Sequence, residues 1–444
     1  MNKPPPCAAM LLGLIASSSL AAPIVIDGSF EDWKDHPPVL VDAADDQDTG
    51  VFDLTEVHAI GFGSELFLSF DINAEVNLIS GDPSDGSLSL LISKEGGNPL
   101  VIDFRNRRFS IQNALGLSAT TWNAFGYRAA PTYASERVEI RLDLAELGVK
   151  ASDSVEISFA GTDDVEKPAT VTMGESAPSQ WKPAALTRSE SVEMRIASLN
   201  TLRGGLTDSS RVEQFGRLIK SSQADTFVFQ EEDNSSEQVI AAVIGDATGT
   251  SASDWSVIRA TRSCVIATKH ALEPARTFNN RYTAAILTDQ KDRKSLVICV
   301  HFKCCGYAQS GEDRQRVMQA NEVMQTIRRV HLEHGKDLPV VVIGDWNLVG
   351  SREPLDVILE EGFERVMPRN AATGETYTWF NPDSAFPPGQ LDLIAASGGI
   401  RSTGAWSVDT RTMPKEVLDA ASLKKHDSAS TDHLMLIADF VYTD

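Results

Sequence analysis

PVVVIGDWN, residues 339–347, is the stretch that decides the architecture of this chain. Four consecutive β-branched residues at 340–343 are too continuous for a strand with one wet face, so they read as a strand covered on both sides. The run stops at Gly344, Asp345, Trp346 and Asn347, which puts a carboxylate and an amide where a buried strand surfaces. The same pattern recurs on both sides of it. MRIASLN closes on Asn200, DTFVFQ on Gln230 with Glu231 next, and SLVICVHF carries His301 near its end. LDLIAA holds Asp392 near its start, and LMLIADFVY follows STDH with Asp432 and His433.

Between these strands lie helical patterns. Ser210 and Glu213 form an expected capping box ahead of VEQFGRLIK, and RQRVMQANEVMQTIRRVHLEH spaces Val317, Met324, Ile327 and Val330 along one face. Helices must bury their apolar stripes on sheet faces, so a layered α/β fold is predicted from residue 193 onward.

The chain of 444 residues, 42% hydrophobic, is long enough for two cores. Before residue 165 the texture changes: ELFLSFDI, SLSLLIS, PLVIDF, RVEIRLDL and SVEISFAG alternate and are separated by Gly, Asn, Asp and Pro, the pattern of an antiparallel all-β sandwich. The polar, proline-bearing residues 166–192 read as a linker. Residues 1–22, with Lys3, an apolar stretch from Ala8 to Leu20 and small residues Ser19 and Ala21 placed for cleavage near Ala21 or Ala22, read as a signal peptide, implying a secreted or periplasmic protein. No other run approaches the roughly 18 apolar residues that a membrane-spanning helix needs.

Net charge is −22, divided unevenly: 12 basic and 28 acidic residues in 23–190, against 27 and 34 in 191–444. The acidity of the first half argues against non-specific polyanion binding there and says little about the second half. Cys7 leaves with the signal; Cys264, Cys299, Cys304 and Cys305 allow three pairings in an oxidising compartment, and one or two disulfides are expected without a choice among them. Zinc is disfavoured, because no second Cys or His pair stands at ligand spacing.

In order and in position at strand ends, IASLN, FVFQE, CVHF, GDWN, QLDLI and STDH resemble the endonuclease/exonuclease/phosphatase superfamily over residues 193–444. The resemblance implies a four-layered DNase I-like sandwich of two sheets with helices outside. It also implies magnesium, with manganese as the alternative, held by Glu231, Asn200 and, through water, Asp432. Asp345 and Asn347, two apart, would face the scissile phosphate together; Asp392 would orient His433; His301 would stabilise phosphate charge. The sequence offers no acid to support His301, and Gln390, Leu393 and Trp346 depart from the usual residues of their motifs.

Near the start, IVIDGSFEDWKDHPPVLVD and SERVEIRLDLAELG resemble sugar- and haem-binding sandwiches that include carbohydrate-binding modules of type nine. That resemblance implies a glycan partner for residues 23–165, with Trp33 and Trp122 as sugar platforms or core residues. Asp42, Asp45, Asp46 and Asp48 lie close enough for a loop holding calcium as a structural ion, a solvated acidic loop being the alternative. The expected activity is hydrolysis of a phosphodiester by in-line water attack. Extracellular nucleic acid is the first-choice substrate, and a sphingomyelin-like head group or a small phosphoester is the alternative. A protein of another class, a glycan binder with a silent hydrolase half, is the contrasting reading. Endo or exo action and oligomeric state stay open.

Overall fold

The computed structural model describes residues 24–443 except 45–51, 79–85, 162, 164, 166, 176–180, 234, 261–262 and 279–280. The expected signal peptide and three of the four acids of the expected calcium loop, Asp45, Asp46 and Asp48, therefore lie outside the described residues. No helix among the described residues is long and apolar enough to cross a membrane.

Alternation builds the first half. Strands Glu65–Val76, Leu88–Lys94, Ser135–Asp143 and Ser154–Gly161 put Leu66, Leu68, Phe70, Leu90, Ile140, Leu142, Val155 and Ile157 into one core. Eleven strands form a single sheet folded on itself, its two faces joined where Ala169–Gly174 pairs in parallel with Leu54–Phe62. That strand corrects the linker reading. Ala169, Val171 and Met173 are buried on alternate positions, so the segment 169–174 belongs to the sandwich.

Trp33 and Trp122, offered above as sugar platforms, are both buried, with relative exposures of 0% and 2%, so neither presents a ring face to a sugar. Trp33 donates its indole N–H to Glu139 (2.9 Å), whose other oxygen accepts from the backbone N–H groups of Asp27 and Gly28, each at 2.6 Å. Burial pushes the Glu139 carboxyl up to about 8 against the pull of these three donors. A folded-state value above the ordinary 4.5 means that the native protein holds the proton more tightly than the unfolded chain. The stability tied to this group is thus full below about 4.5 and is lost as pH rises through about 8. The melting temperature of the wild type relative to Glu139→Gln, which cannot titrate, should be higher at pH 5 than at pH 9. A difference independent of pH would refute the assignment.

The second half is four layers, as predicted. One sheet of seven strands carries Met194–Asn200, Thr226–Gln230 and Met435–Tyr442 side by side; a second, of six, carries Lys294–His301, Val340–Asp345 and Asp392–Ser397. Ile196, Val228, Val341, Ile343, Ile394 and Leu436 fill the space between the sheets. Helices Val212–Ser222 and Glu237–Thr248 cover the outer face of the first sheet, and Gly311–His334 and Glu353–Leu359 that of the second. Each fully buried aliphatic side chain in such a core stabilises by roughly 1.5–3 kcal/mol.

Two local expectations are revised. Val212–Ser222 has no side-chain cap; Asp208 takes the backbone N–H and hydroxyl of Ser210 instead, so the Ser210–Glu213 box does not form. All four described cysteines are thiols. Cys264 and Cys299 are buried, their sulfurs turned to the carbonyls of Arg281 and Phe229, whereas Cys304 and Cys305 are exposed with sulfurs 3.1 Å apart.

The sandwich is docked on the α/β half, against loops that follow its strands. Asn77 donates to the carbonyls of Thr132 and Val349, Ala134 N–H donates to Gly350 O (2.8 Å), and Gln390 N–H donates to Thr132 Oγ1 (2.8 Å). Arg369 pairs with Asp27 (2.6 Å), and Trp122 Nε1 donates to Ser384 O (2.8 Å). Phe380 and Phe386 from the α/β half pack onto the sandwich core.

Candidate active site

Strand register gathers the site. His301 stands opposite Asp345 in the parallel pair, and Asp345 opposite Asp392 in the antiparallel pair, so three side chains of the second sheet end in one row. In the first sheet Asn200 is opposite Gln230, which brings Glu231 to the same edge, and His433 lies just before the adjoining strand Met435–Tyr442. Gly344 makes the row compact. At φ 142° a Cβ there would lie 2.3 Å from Val300 O, so only glycine lets these strands close beside Asp345.

Six of the eight residues expected at the site meet. Asn200 Nδ2 donates to Glu231 Oε1 and Asp345 Oδ2, both at 3.1 Å. His301 Nε2 lies 3.6 Å from Asp345 Oδ2 and 3.9 Å from Glu231 Oε1. On the other side, His433 Nδ1 is 2.9 Å from Asp392 Oδ2 and its Nε2 is 3.7 Å from Asp345 Oδ2. Asp392 is itself fixed by its backbone, which donates to Thr378 Oγ1 at 2.8 Å.

Burial of so many charges shifts their protonation. Burial alone would lower the His433 pKa, but the carboxylates of Asp392 and Asp345 outweigh it and push the value up to about 10. Burial raises the Asp345 carboxyl above its ordinary range, against the pull of His433 and His301.

Two expectations are corrected in detail. Asn347 does not share a strand face with Asp345, because the strand ends at Asp345 and Asn347 turns into the left-handed region at φ 48°. Its backbone N–H folds back onto Asp345 Oδ1 (3.0 Å), and its amide donates to Phe302 O (3.2 Å). Asn200 turns its NH2, not its oxygen, toward the acids: Oδ1 accepts from Leu202 N–H, and an amide placed between two carboxylates is better served by its donor side. Among the described residues, Asp345, Asp392 and His433 bring acid and imidazole atoms close enough together to hold a metal.

The site still suits a hard cation. Glu231, Asp345 and Asp392 concentrate carboxylate oxygens in a small volume, and Asp432 Oδ1 is buried without a hydrogen-bond partner. Glu232, the neighbour most easily confused with Glu231, points elsewhere. It is fully buried and accepts from Thr201 Oγ1, Leu206 N–H and Ser235 Oγ, which makes it a structural acid.

Sequence reading missed Ser263, whose hydroxyl lies 2.6 Å from His301 Nδ1 and takes the place of the acid sought for that histidine. No spacing links residues 263 and 301, which meet across the two packed sheets. Trp346 is buried against Phe302, 5.4 Å between ring centroids, and faces away from the site. Trp379 forms bridges to Gly389 and His433, and its ring stands edge-on to Phe386 at 5.4 Å.

The sequence profile of the Endonuclease/Exonuclease/phosphatase family matches residues 197–433, more than half of the chain. No curated protein matches the sequence. Similar solved structures include a 3' phosphatase, NExo, from Neisseria bound to a product DNA hairpin, at 16% identity and TM-score 0.42, covering 56% of this chain and 100% of that one. Another is TDP2 of D. rerio with a single-strand DNA product, at 18% identity and TM-score 0.39, covering 56% and 98%. A third is an endonuclease/exonuclease/phosphatase from Bacteroides vulgatus, at 16% identity and TM-score 0.39, covering 56% and 98%.

Proposed function

The chain belongs to the endonuclease/exonuclease/phosphatase family of phosphoester hydrolases, and from that premise we propose that it is a secreted nuclease cutting phosphodiester bonds by in-line attack of water. The observation that carries this reading is the convergence of Asn200, Glu231, His301, Asp345, Asp392 and His433 at one edge of two packed sheets.

Enzymes of the family depend on a divalent metal. Magnesium would be held by Glu231, with Asp432 as a further oxygen and Asn200 fixing the Glu231 carboxylate through its amide N–H, and when bound it would offset charge on the phosphoryl oxygens. The chain's own groups do the rest. Asp345, whose carboxyl is raised by burial, is suited to accept a hydrogen bond from the attacking water and draw its proton. Asn347 holds the Asp345 carboxylate in place through its backbone N–H. The Asp392/His433 pair holds and delivers a proton on the opposite side, and His301, fixed by Ser263, donates toward a non-bridging phosphoryl oxygen.

Purified protein supplied with magnesium should be assayed on plasmid DNA, RNA, sphingomyelin and bis(p-nitrophenyl) phosphate. Cleavage of nucleic acid together with the small diester is expected; cleavage of sphingomyelin alone would overturn the nuclease reading. Exhaustive EDTA treatment should abolish turnover, and magnesium should restore it. Glu231→Gln should raise the magnesium concentration needed for half-maximal activity about tenfold or more. Glu232→Gln should leave that concentration unchanged and lower the melting temperature, because three donors around it lose their charged acceptor. Equal metal effects in the two variants would place the metal elsewhere.

A further inference from the structure

The acidic sandwich carries one concentrated basic element, and two aromatic side chains of the α/β half link it to the active site. Of the nine Lys and Arg residues in 23–165, three fall within four positions, Arg105, Arg107 and Arg108. Arg105 and Arg107 lie in the turn between strands Leu100–Asp103 and Arg108–Asn113, Arg108 opens the second of these strands, and all three are exposed. The turn has a defined shape. Asn106 donates from its backbone and its amide to Asp103 (3.1 and 2.7 Å), and Arg107 sits in the left-handed region at φ 52°.

Contacts lead from this turn to the catalytic row. The Arg107 guanidinium lies 6.0 Å from the centre of the Phe386 ring, Phe386 meets Trp379, and Trp379 bridges to His433. The same end of the sandwich is anchored there by Trp122, which donates to Ser384 O and stands edge-on to Phe380 at 5.3 Å, while Phe380 N–H donates to Asp432 O (2.8 Å). The arginines are therefore held at a fixed offset from the residues around the scissile bond. On the opposite flank, exposed Arg203 is positioned by its backbone N–H, which donates to Glu231 Oε2 (3.1 Å).

We infer that the turn holding Arg105, Arg107 and Arg108 binds the phosphate backbone of a nucleic-acid strand on the His433 side of the active site, so that the sandwich takes part in substrate binding. This rests on the nuclease reading above. A first half with 28 acidic and 12 basic residues over 23–190 repels polyanions in general, and a local basic cluster then confines the strand to one path instead of letting it coat the surface. The cluster touches sugar-phosphate and carries no base readout, so it adds affinity without sequence preference. Single-strand binding of this kind covers several nucleotides and weakens steeply with salt.

The test compares the wild type with a triple variant, Arg105→Ala, Arg107→Asn and Arg108→Ala, and with a second in which all three are lysine. Asparagine is chosen at 107 because it tolerates positive φ. Substrates are a strand of about 20 nucleotides, longer than a single binding path needs, and bis(p-nitrophenyl) phosphate. For the strand, the neutral variant should raise KM about tenfold with kcat unchanged, and should flatten the dependence of log KM on log salt by about 2, the share of three phosphate contacts. The lysine variant should retain most of the wild-type KM, and both variants should cleave the small diester at the wild-type rate with an unchanged melting temperature. An unchanged KM and salt slope in a neutral variant that cleaves the strand would overturn this inference and leave the nuclease reading intact. A wild type that cleaves the small diester and no nucleic acid would overturn both. Weakened binding of the neutral variant to anionic lipid vesicles, with KM for the strand unchanged, would assign the turn to a membrane surface and overturn it too.

Discussion

Replacing His433 with alanine should lower turnover by roughly 10²- to 10⁴-fold, the usual size of a general acid–base contribution, while the protein stays folded. The imidazole is buried, with Nδ1 held at 2.9 Å by Asp392 and Nε2 facing Asp345 at 3.7 Å, so both ring nitrogens work among the acids of the catalytic row. His301→Ala should fall in the same range, since its Nε2 approaches Asp345 from the other side. Asp392→Asn should reproduce the His433 loss in part, because the ring remains but the charge that orients it is gone. Turnover and thermal unfolding measured on the same samples decide the matter. Were these merely packed polar residues, melting temperature would drop and turnover per folded molecule would hold. Normal turnover in folded His433→Ala protein would reject the mechanism.

The largest loss of stability is expected far from the site, at Asp439. Its carboxylate accepts from Arg195 Nε and Nη2 (2.5 and 2.7 Å), and Arg195 Nη1 donates to the carbonyls of Leu186 and Ser222. The arginine side chain is fully buried. Asp439→Ala would strand a guanidinium without its counter-charge, at a cost of about 3–5 kcal/mol. Arg195→Met combined with Asp439→Leu should recover most of that loss, because a packed apolar pair of similar size has no charge to desolvate. Urea unfolding midpoints would show it, and a double variant no better than Asp439→Ala would mean that the carbonyl contacts of Arg195, not the ion pair, carry the stability.

What the sequence disclosed follows the physics of strands. A buried strand must end somewhere, and a polar residue at such an end is conspicuous against Val and Ile, which is how His301, Asp345 and Asp392 were found. A layered α/β half was legible for the same reason, since period-3.6 stripes and unbroken apolar runs need one another, while the count of four layers came from the family resemblance. Asn347 was misplaced because the two-residue rule holds only inside a strand, and the chain leaves extended geometry one residue earlier. Ser263 was invisible because a hydroxyl beside an imidazole depends on how two sheets stack, which no spacing along the chain encodes. The strand Ala169–Gly174 was hidden by the prolines and polar residues around it, although its own ATVTMG alternates cleanly.

The docking of the sandwich has a consequence for how the protein comes to be made. Val349 O, Gly350 O, Ser384 O and Gln390 N–H all complete their hydrogen bonding with residues 77–134. During synthesis those partners leave the ribosome first, and domains of this size generally fold in the order in which they emerge. The sandwich is then a finished template when the loops flanking Asp345 and His433 appear, and those loops settle against it. The first third of the chain thus acts as an internal mould for the catalytic rim, and the order of the two halves along the polypeptide is part of how the enzyme acquires its shape.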